Sequence, residues 1–571
     1  MNNASIAQLC EDIAVFLELK DDNPFRIRAY LNAARNIRGL PEDIAAIASR
    51  GELTKIPGIG ADLKLKVEEF LSSGSLKFHK VLLDKTPRVL VEMLKIQGMG
   101  PKTANLIYKK YRPKSLADLE KLVLAHKLRK LPGIREKTEQ NILETLNFLK
   151  QHRERTLLSK ALPLSRQVIL ELKKLPQVDQ IAYAGSLRRM QETVRDIDIL
   201  VTSKNPTPIM KAFVGLGGVQ KVLAHGETKS SVISREGIQI DLRVVSPDSF
   251  GAALLYFTGS KAHNIKLRTM AKKKGLKINE YGLFKEGSER RIAGKTEEEI
   301  YRALGLDWIS PELREDYGEV EASAKHRLPC LVERADIRGD FHTHSNWSDG
   351  LHKIEEMVEA ARKRKLSYMV LTDHSQSLKV ANGLSRKRIL AQIATIKKLN
   401  RKFKDFTLLA GSEVDILQDG SLDFDDDILK RLDFVIASVH TGFKQSKAQI
   451  TKRILRAMEN KHVHAIGHPT GRLLGEREAY EVDLEQIFKA AEETNTALEI
   501  NSQPTRLDLN DVHARQARDV GVALVVDTDS HAMDQFENLE YGIATARRAW
   551  CEAKNILNCL TLNELQKRIA K

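Results

Sequence analysis

The chain has 571 residues, of which 42% are hydrophobic and 29% charged, and a formal net charge of +16. That length exceeds what one core serves and implies three or four globular units, and the composition excludes a disordered chain. No run approaches the ~20 apolar residues of a membrane span and the first residues lack the pattern of a secretory leader, so a cytosolic protein is expected. Cys10, Cys330, Cys551 and Cys559 lack the paired spacing of a disulfide framework or a cysteine zinc site and read as buried thiols. The charge is uneven: residues 1–336 hold 57 basic and 42 acidic side chains, the remainder 35 and 34. Such an excess suits a polyanion, although basic surfaces also serve solubility.

In chain order, residues 1–150 read as short amphipathic helices broken by three related turns, Ile56-Pro57-Gly58-Ile59-Gly60, Ile96-Gln97-Gly98-Met99-Gly100 and Leu131-Pro132-Gly133-Ile134-Arg135. This internal repeat is the helix-hairpin-helix pattern. Gly58, Gly60, Gly98, Gly100 and Gly133 permit tight turns whose backbone N–H groups can face a phosphate oxygen of DNA.

From about residue 155 the pattern becomes α/β, with strands expected at 180–184, 196–202 and 237–245. In Arg195-Asp196-Ile197-Asp198-Ile199-Leu200-Val201 the period of two puts Asp196 and Asp198 on one face and Ile197, Ile199 and Val201 on the core face. Two adjacent carboxylates repel, a cost that divalent cations offset. Asp241, on a strand of the same alternation, completes a set suited to two-metal displacement at phosphorus. Upstream, Gly185 and Ser186 offer an N–H and a hydroxyl to a phosphate, and Arg189 a charge. A Glu-rich stretch, 310–327, reads as an extended linker.

Seven further strands alternate with helices to the end of the chain: around Phe341, then at 369–372, 408–410, 434–439, 465–467, 497–500 and 523–527. Such alternation implies a parallel sheet or barrel with its chemistry at the strand C-terminal ends. There stand His342, His344, Asp349, His374, Glu413, His440, His468, Asp529 and His531. These are nine imidazole or carboxylate ligands, suited to zinc, manganese or iron and too many for one tetrahedral ion, which implies two or three metals.

The run Gly185-Ser186, Asp196-x-Asp198 and Asp241 resembles the nucleotidyltransferase core. Tyr256-Phe257-Thr258-Gly259-Ser260, His263-Asn264, Arg268 and Lys277-Ile278-Asn279-Glu280-Tyr281 make it similar to DNA polymerase beta and its family X relatives. The resemblance implies that Tyr256 and Phe257, with Gly259, abut the incoming sugar and exclude a ribose, that Asn264 contacts the base, and that Arg268 contacts the template side. Arg195 departs from the family, whose animal members have glycine there. Phe25-Arg26-Ile27-Arg28-Ala29-Tyr30 and the segment from Pro57 to Leu71 resemble the family's lyase domain, which aligns Lys66 with the Schiff-base lysine that removes 5′-deoxyribose phosphate. A lysine beside a phosphate-binding turn can have its pKa lowered for that attack. Asp62 stands where the family has a basic residue.

The nine-ligand pattern resembles the PHP superfamily of metal-dependent phosphoesterases. The expected architecture is therefore multidomain: an all-α helix-hairpin-helix region with a lyase-like part at 1–85 and a second DNA-binding part at 86–150, an α/β nucleotidyltransferase palm at 151–250, a nucleotide-selecting subdomain at 251–315, a linker at 316–336, and a distorted (β/α)7 PHP barrel at 337–571. The resemblance implies a DNA polymerase that fills short gaps in base-excision repair, using deoxynucleoside triphosphates and two Mg2+ or Mn2+ ions. It also implies a 3′–5′ exonuclease or 3′-end-cleaning activity in the barrel with two or three Mn2+ or Zn2+ ions, in a monomer acting on gapped or primed duplex DNA. Two rivals stay open: a small-molecule phosphatase joined to an inactive polymerase, and a DNA-binding scaffold with structural metals.

Overall fold

In the computed structural model, which describes residues 3–569 apart from 21, 39, 41–43, 74–75, 85, 95, 97–98 and 154, the chain forms two units, Met1–Arg153 and Glu154–Lys571. The described residues of the first unit are helical, with no strand among them. Its three turns repeat one packing rule. Ile56 and Ile59, Ile96 and Met99, and Leu131 and Ile134 are all buried in a single apolar core. Gly58 and Gly133 adopt φ of +84° and +81°, a region open to glycine at little cost. Gly98 lies outside the described residues.

The second unit begins with a five-stranded sheet built from β1 (Gln180–Tyr183), β2 (Asp196–Thr202), β3 (Val219–His225), β4 (Lys229–Ser234) and β5 (Gln239–Val245). Their spatial order is β1-β2-β5-β4-β3, and only β2 and β5 run parallel. Ile197, Ile199 and Val201 enter the core on the face expected from the alternation. The β3–β4 hairpin escaped sequence reading because β3 is an exposed edge strand with no continuous apolar face.

The helices Phe250–Thr258 and Lys261–Lys273 follow, then a three-stranded antiparallel sheet of β6 (Leu276–Asn279), β7 (Gly282–Lys285) and β8 (Arg291–Ala293). The stretch expected as an extended linker is packed instead. It contains the helix Glu319–Ala324, and Glu319 and Arg314 are fully buried. Three of its acidic residues turn inward to partners from elsewhere, Glu312 to Arg547, Glu315 to Arg189 and Glu319 to His263.

The remaining strands, β9 (Gly339–Thr343), β10 (Tyr368–Leu371), β11 (Thr407–Asp415), β12 (Phe434–Ser438), β13 (Ala465–Ile466), β14 (Ala497–Asn501) and β15 (Leu524–Asp527), form a seven-stranded parallel sheet in sequence order. The sheet curls until its ends meet, with Thr343 bridging to Ser530. The buried Asn558 side chain stitches the seam, donating to Gly339 O (3.0 Å), Val526 O (2.9 Å) and Asp527 Oδ1 (2.9 Å) and accepting from Val526 N (2.8 Å). At one pole Phe341, Tyr368, Phe434 and Val525 pack under Leu565 of the C-terminal helix Leu562–Ile569, closing that end with apolar side chains. The opposite pole holds the polar groups. Asn558→Leu leaves several buried backbone groups unpaired, so it is expected to cost about 2–4 kcal/mol and to lower the urea midpoint of the barrel.

Candidate active sites

In the first site, the pairing of β2 with β5 sets Asp198 directly beside Asp241, while Asp196 precedes it on the same face of β2. Burial first, and then the neighbouring carboxylates, raise Asp196 above the usual carboxylate range and push Asp198 up to about 6. Three carboxylates gathered on neighbouring strands, two of them pushed up by burial and by one another's charge, are a donor set short of positive charge, and divalent cations fit it. Gln239 Nε2 donates to Asp241 Oδ1 at 3.0 Å, and Lys229 Nζ stands 3.8 Å from Oδ2. Gly185 is required twice over: its φ is +66°, and a Cβ there would lie 2.8 Å from Asp198 Oδ2.

The expected nucleotide-binding residues lie on the turn after β1 and on or between the helices Phe250–Thr258 and Lys261–Lys273 that follow the sheet. Phe257 packs with Ala184, Leu200 and Ala253 against the sheet, with the Arg243 guanidinium 4.6 Å from its ring centroid, while Tyr256 is exposed. Asn264 Nδ2 donates to Tyr256 O (2.7 Å) and Arg268 Nε to Asn264 O (3.3 Å), so the three form one surface. Ser260 caps the helix that carries Asn264 and Arg268, accepting from His263 N. Arg189 donates Nη1 to Thr258 O, next to Gly259, and Nε to Glu315.

Sequence reading missed the buttress that holds Arg188, the residue before Arg189. Glu297, 4% exposed, accepts paired hydrogen bonds from Arg188 (2.8 and 2.8 Å) and from Arg314 (2.6 and 3.0 Å), plus one from Trp308 Nε1 (3.1 Å). Burial opposes its charge, but the two guanidiniums prevail and hold it far below the usual range.

Lys66 lies on the helix Ala61–Ser73 with its ammonium bonded to Asp62 and set 4.7 Å from the Phe78 ring and 5.7 Å from the Tyr30 ring. Its pKa departs from expectation. Burial alone would lower it, but Asp62 and the Tyr30 side chain outweigh burial and the net shift is upward.

In the second site, eight of the nine expected ligands fall into three overlapping groups: His344, Asp349, His374 and His531; His342, His344 and Asp529; and His374, Glu413 and His440. Glu413 is the hub. Its oxygens lie 2.9 Å from His374 Nδ1, 3.1 Å from His440 Nε2 and 3.3 Å from His342 Nε2, and 2.9 Å from Nε2 of His468, the ninth residue. Asp529 Oδ1 stands 3.2 Å from His344 Nε2 and 3.5 Å from His342 Nε2. Glu413 does not end its strand as expected, because β11 runs on through the site to Asp415.

Burial disfavours every charge here, and the balance differs ring by ring. Glu413 and Asp415 raise His440 to about 10, and Asp349 and Asp529 raise His531 to about 9. Burial and neighbouring imidazoles drive His344 down to about 3, and burial with Arg506 does the same to His468. Several buried ring nitrogens, His342 Nε2, His344 Nε2 and His374 Nδ1, stand 2.9–3.3 Å from carboxylate oxygens without the geometry of a hydrogen bond. Unpaired imidazole nitrogens facing carboxylates fit a cluster of divalent cations.

Two of the outer carboxylates, Glu499 and Asp415, went unnoticed in the sequence. Glu499 accepts from His342 Nδ1 (2.7 Å) and from His468 N (2.5 Å), Asp415 holds His440 Nδ1 (2.5 Å), and Asp373 gathers Ser345, Ser348 and Gln392. Glu499 and Asp415, which bond ligand rings directly, fix ring orientation and raise ligand basicity. Their signal was an acidic residue inside an otherwise apolar strand, as in Leu498-Glu499-Ile500.

Family models match four parts of the chain: a helix-hairpin-helix domain at residues 1–76, a SAM-like helix-hairpin-helix tandem at 90–147, a DNA polymerase beta thumb at 253–315 and a PHP domain at 340–503. The chain is 39% identical over 568 residues, 99% of each protein, to the DNA polymerase/3′-5′ exonuclease PolX of Bacillus subtilis (strain 168). It is 26% identical over 322 residues to DNA polymerase lambda of Rattus norvegicus, covering 50% of this chain and 52% of that one. A probable phosphatase of Thermoanaerobacter sp. (strain X514) is 30% identical over 230 residues, 38% of this chain and 89% of that one.

Proposed function

The chain belongs to the PolX family of DNA polymerases that are also 3′–5′ exonucleases, and from that premise we propose that it fills short gaps during base-excision repair in the cytoplasm, as a monomer. In this reading Asp196, Asp198 and Asp241 would hold two Mg2+ or Mn2+ ions, which would supply positive charge for the phosphate and lower the pKa of the primer 3′-OH. Gly185, Ser186 and Arg189 receive the triphosphate, Tyr256, Phe257 and Gly259 bound the sugar, Asn264 meets the base, and Arg268 meets the template. The nine barrel ligands hold two or three Mn2+ or Zn2+ ions. Bound metals would supply a nucleophile active at neutral pH and positive charge for the phosphate. The chain's own contribution is to fix that geometry through Glu499, Asp415 and Asp373.

The observation that carries the reading is the register of Asp198 beside Asp241 with Asp196 on the same face, in a chain whose barrel also brings eight of the nine expected ligands into groups that could hold metal ions. Support for backbone binding by the hairpins comes from Gly60 and Gly100. A Cβ at either would meet nothing within 4 Å, so packing does not demand glycine there, whereas close approach of a phosphate would. The test is a set of 5′-labelled primers facing either a one-nucleotide gap or a long single-stranded template. Gap repair predicts faster extension into the gap, with binding that weakens steeply as salt rises and varies little with sequence. Equal extension on both templates would refute the repair assignment.

We also assign Lys66 a lyase step. Because Asp62 holds its ammonium protonated, Asp62→Asn is expected to increase borohydride trapping of Lys66 on a 5′-deoxyribose-phosphate end at neutral pH, and Lys66→Ala to abolish it. Unchanged trapping in Lys66→Ala would remove that role. The likeness of the barrel to a probable phosphatase favours a second reading for this half, hydrolysis of a small phosphomonoester. Turnover of such a substrate without DNA cleavage would select it.

A further inference from the structure

The palm and the barrel meet through a buried chain of charge. Arg548, on the barrel helix Leu539–Arg548, is 7% exposed. Its Nη1 donates to the carbonyl oxygen of Arg189 (2.8 Å) and to Glu315 Oε1 (3.1 Å), and its Nη2 to Asp511 (2.5 Å). The same Glu315 oxygen accepts from Arg189 Nε (2.8 Å) and Gln191 Nε2 (2.6 Å). The charges therefore alternate, Arg189, Glu315, Arg548, Asp511, and cancel. Burial would push Glu315 toward neutrality, but Arg189 and Arg548 hold it ionised, below the usual range. Among the described residues, the other ion pairs that join residues 154–315 to the barrel, Arg166 with Glu540, Arg472 with Glu192 and Arg547 with Glu312, reach no residue assigned to the nucleotide.

The chain of charge ends on a residue with a chemical task. An arginine that must meet a triphosphate has to be held in one rotamer without being neutralised. Thr258 O and Glu315 fix two of its edges, Nη1 and Nε, which leaves the Nη2 edge for a phosphate. Glu315 alone would neutralise Arg189. Sharing the carboxylate with Arg548 lets it orient Arg189 while part of its charge is spent elsewhere, and Asp511 keeps Arg548 from turning away.

We propose that Arg548 of the barrel, acting through Glu315, is a positioning residue for the incoming nucleotide, so that the hydrolase half completes the nucleotide site of the polymerase half. The proposal rests on the assignment of Arg189 to the triphosphate. Its test is single-nucleotide incorporation by the full-length protein on a gapped primer, with kcat and KM for the nucleotide measured for Arg189→Met, Arg548→Met, Arg548→Lys and the double Met variant. Exonuclease rate and thermal midpoint are followed in parallel. Arg548→Met is expected to raise KM roughly 3- to 30-fold, the range for coupling residues, with kcat and the exonuclease rate little changed. Arg548→Lys should recover part of the loss, and Arg548→Met should add nothing once Arg189 is gone. Should Arg548→Met fail to fold, Arg548→Lys, which loses the forked donor but keeps the charge, is expected to show a smaller rise in KM. A raised KM in Arg189→Met with none in either Arg548 variant, or additive effects in the double variant, would overturn the relay and leave the role of Arg189 intact. An unchanged KM in Arg189→Met would instead overturn that assignment, and the relay with it.

Discussion

Asp198→Asn is expected to lower primer extension by about 10³-fold or more, equivalent to roughly 4 kcal/mol of lost transition-state stabilisation, while leaving the exonuclease intact. Asp198 is the central member of the triad, adjacent to Asp241 across the strand pair and on one face with Asp196. Its backbone is fixed independently of its charge, since Ala184 N donates to Asp198 O at 2.8 Å. Asparagine keeps the shape and removes one negative charge from the metal site. The fold should survive, and in chelator the variant should melt higher than the parent, because burial and like charges push Asp198 up to about 6 and its ionisation therefore opposes folding at neutral pH. Primer extension by gel and a thermal melt in EDTA read the two halves of this expectation. Extension at the parental rate would remove Asp198 from the metal site.

Glu413→Gln should do the converse. Glu413 is 1% exposed and touches His342, His374, His440 and His468, so its loss removes the one group common to most of the cluster. Exonuclease activity is expected to fall by about 10³-fold and the metal content of the purified protein to drop, with primer extension retained. The metal-free parent offers a second check through pH. His440 and His531 hold their protons up to about 10 and 9 when folded. A histidine pKa raised above its unfolded value of about 6.5 contributes stability that is full below that value and is lost as pH rises through the folded pKa. In chelator the barrel should therefore lose stability between about pH 7 and 10. With metal bound the rings are already deprotonated, so this loss should largely disappear. A metal-free barrel indifferent to pH across that range would contradict the ion pairs drawn around Glu413.

Much of this was legible in the residues. Strand β2 was readable because alternation across Asp196–Thr202 separates carboxylates from Ile197, Ile199 and Val201, and all seven barrel strands were visible as short apolar runs, five of them ending near histidines. What escaped reading depends on partners far away in the chain. Glu499 orients His342 from 157 positions downstream, and Glu297 joins Arg188 to Arg314 across two other elements. The Glu-rich stretch misled for a related reason: acidic composition suggests a solvated linker, yet Glu312, Glu315 and Glu319 are each matched by a basic group from elsewhere. The pKa of Lys66 went the other way because the aspartate one helical turn before it governs the ammonium more than the turn does.

The most direct test of two separate active sites in one chain uses a 5′-labelled primer bordering a one-nucleotide gap, incubated in Mn2+ with and without the four deoxynucleotides. The parent should lengthen the primer with nucleotides and shorten it without them, Asp198→Asn should only shorten it, and Glu413→Gln should only lengthen it. If either substitution removed both activities in a folded protein, or if the parent left the primer unchanged in both lanes, the account of two independent metal sites would be contradicted.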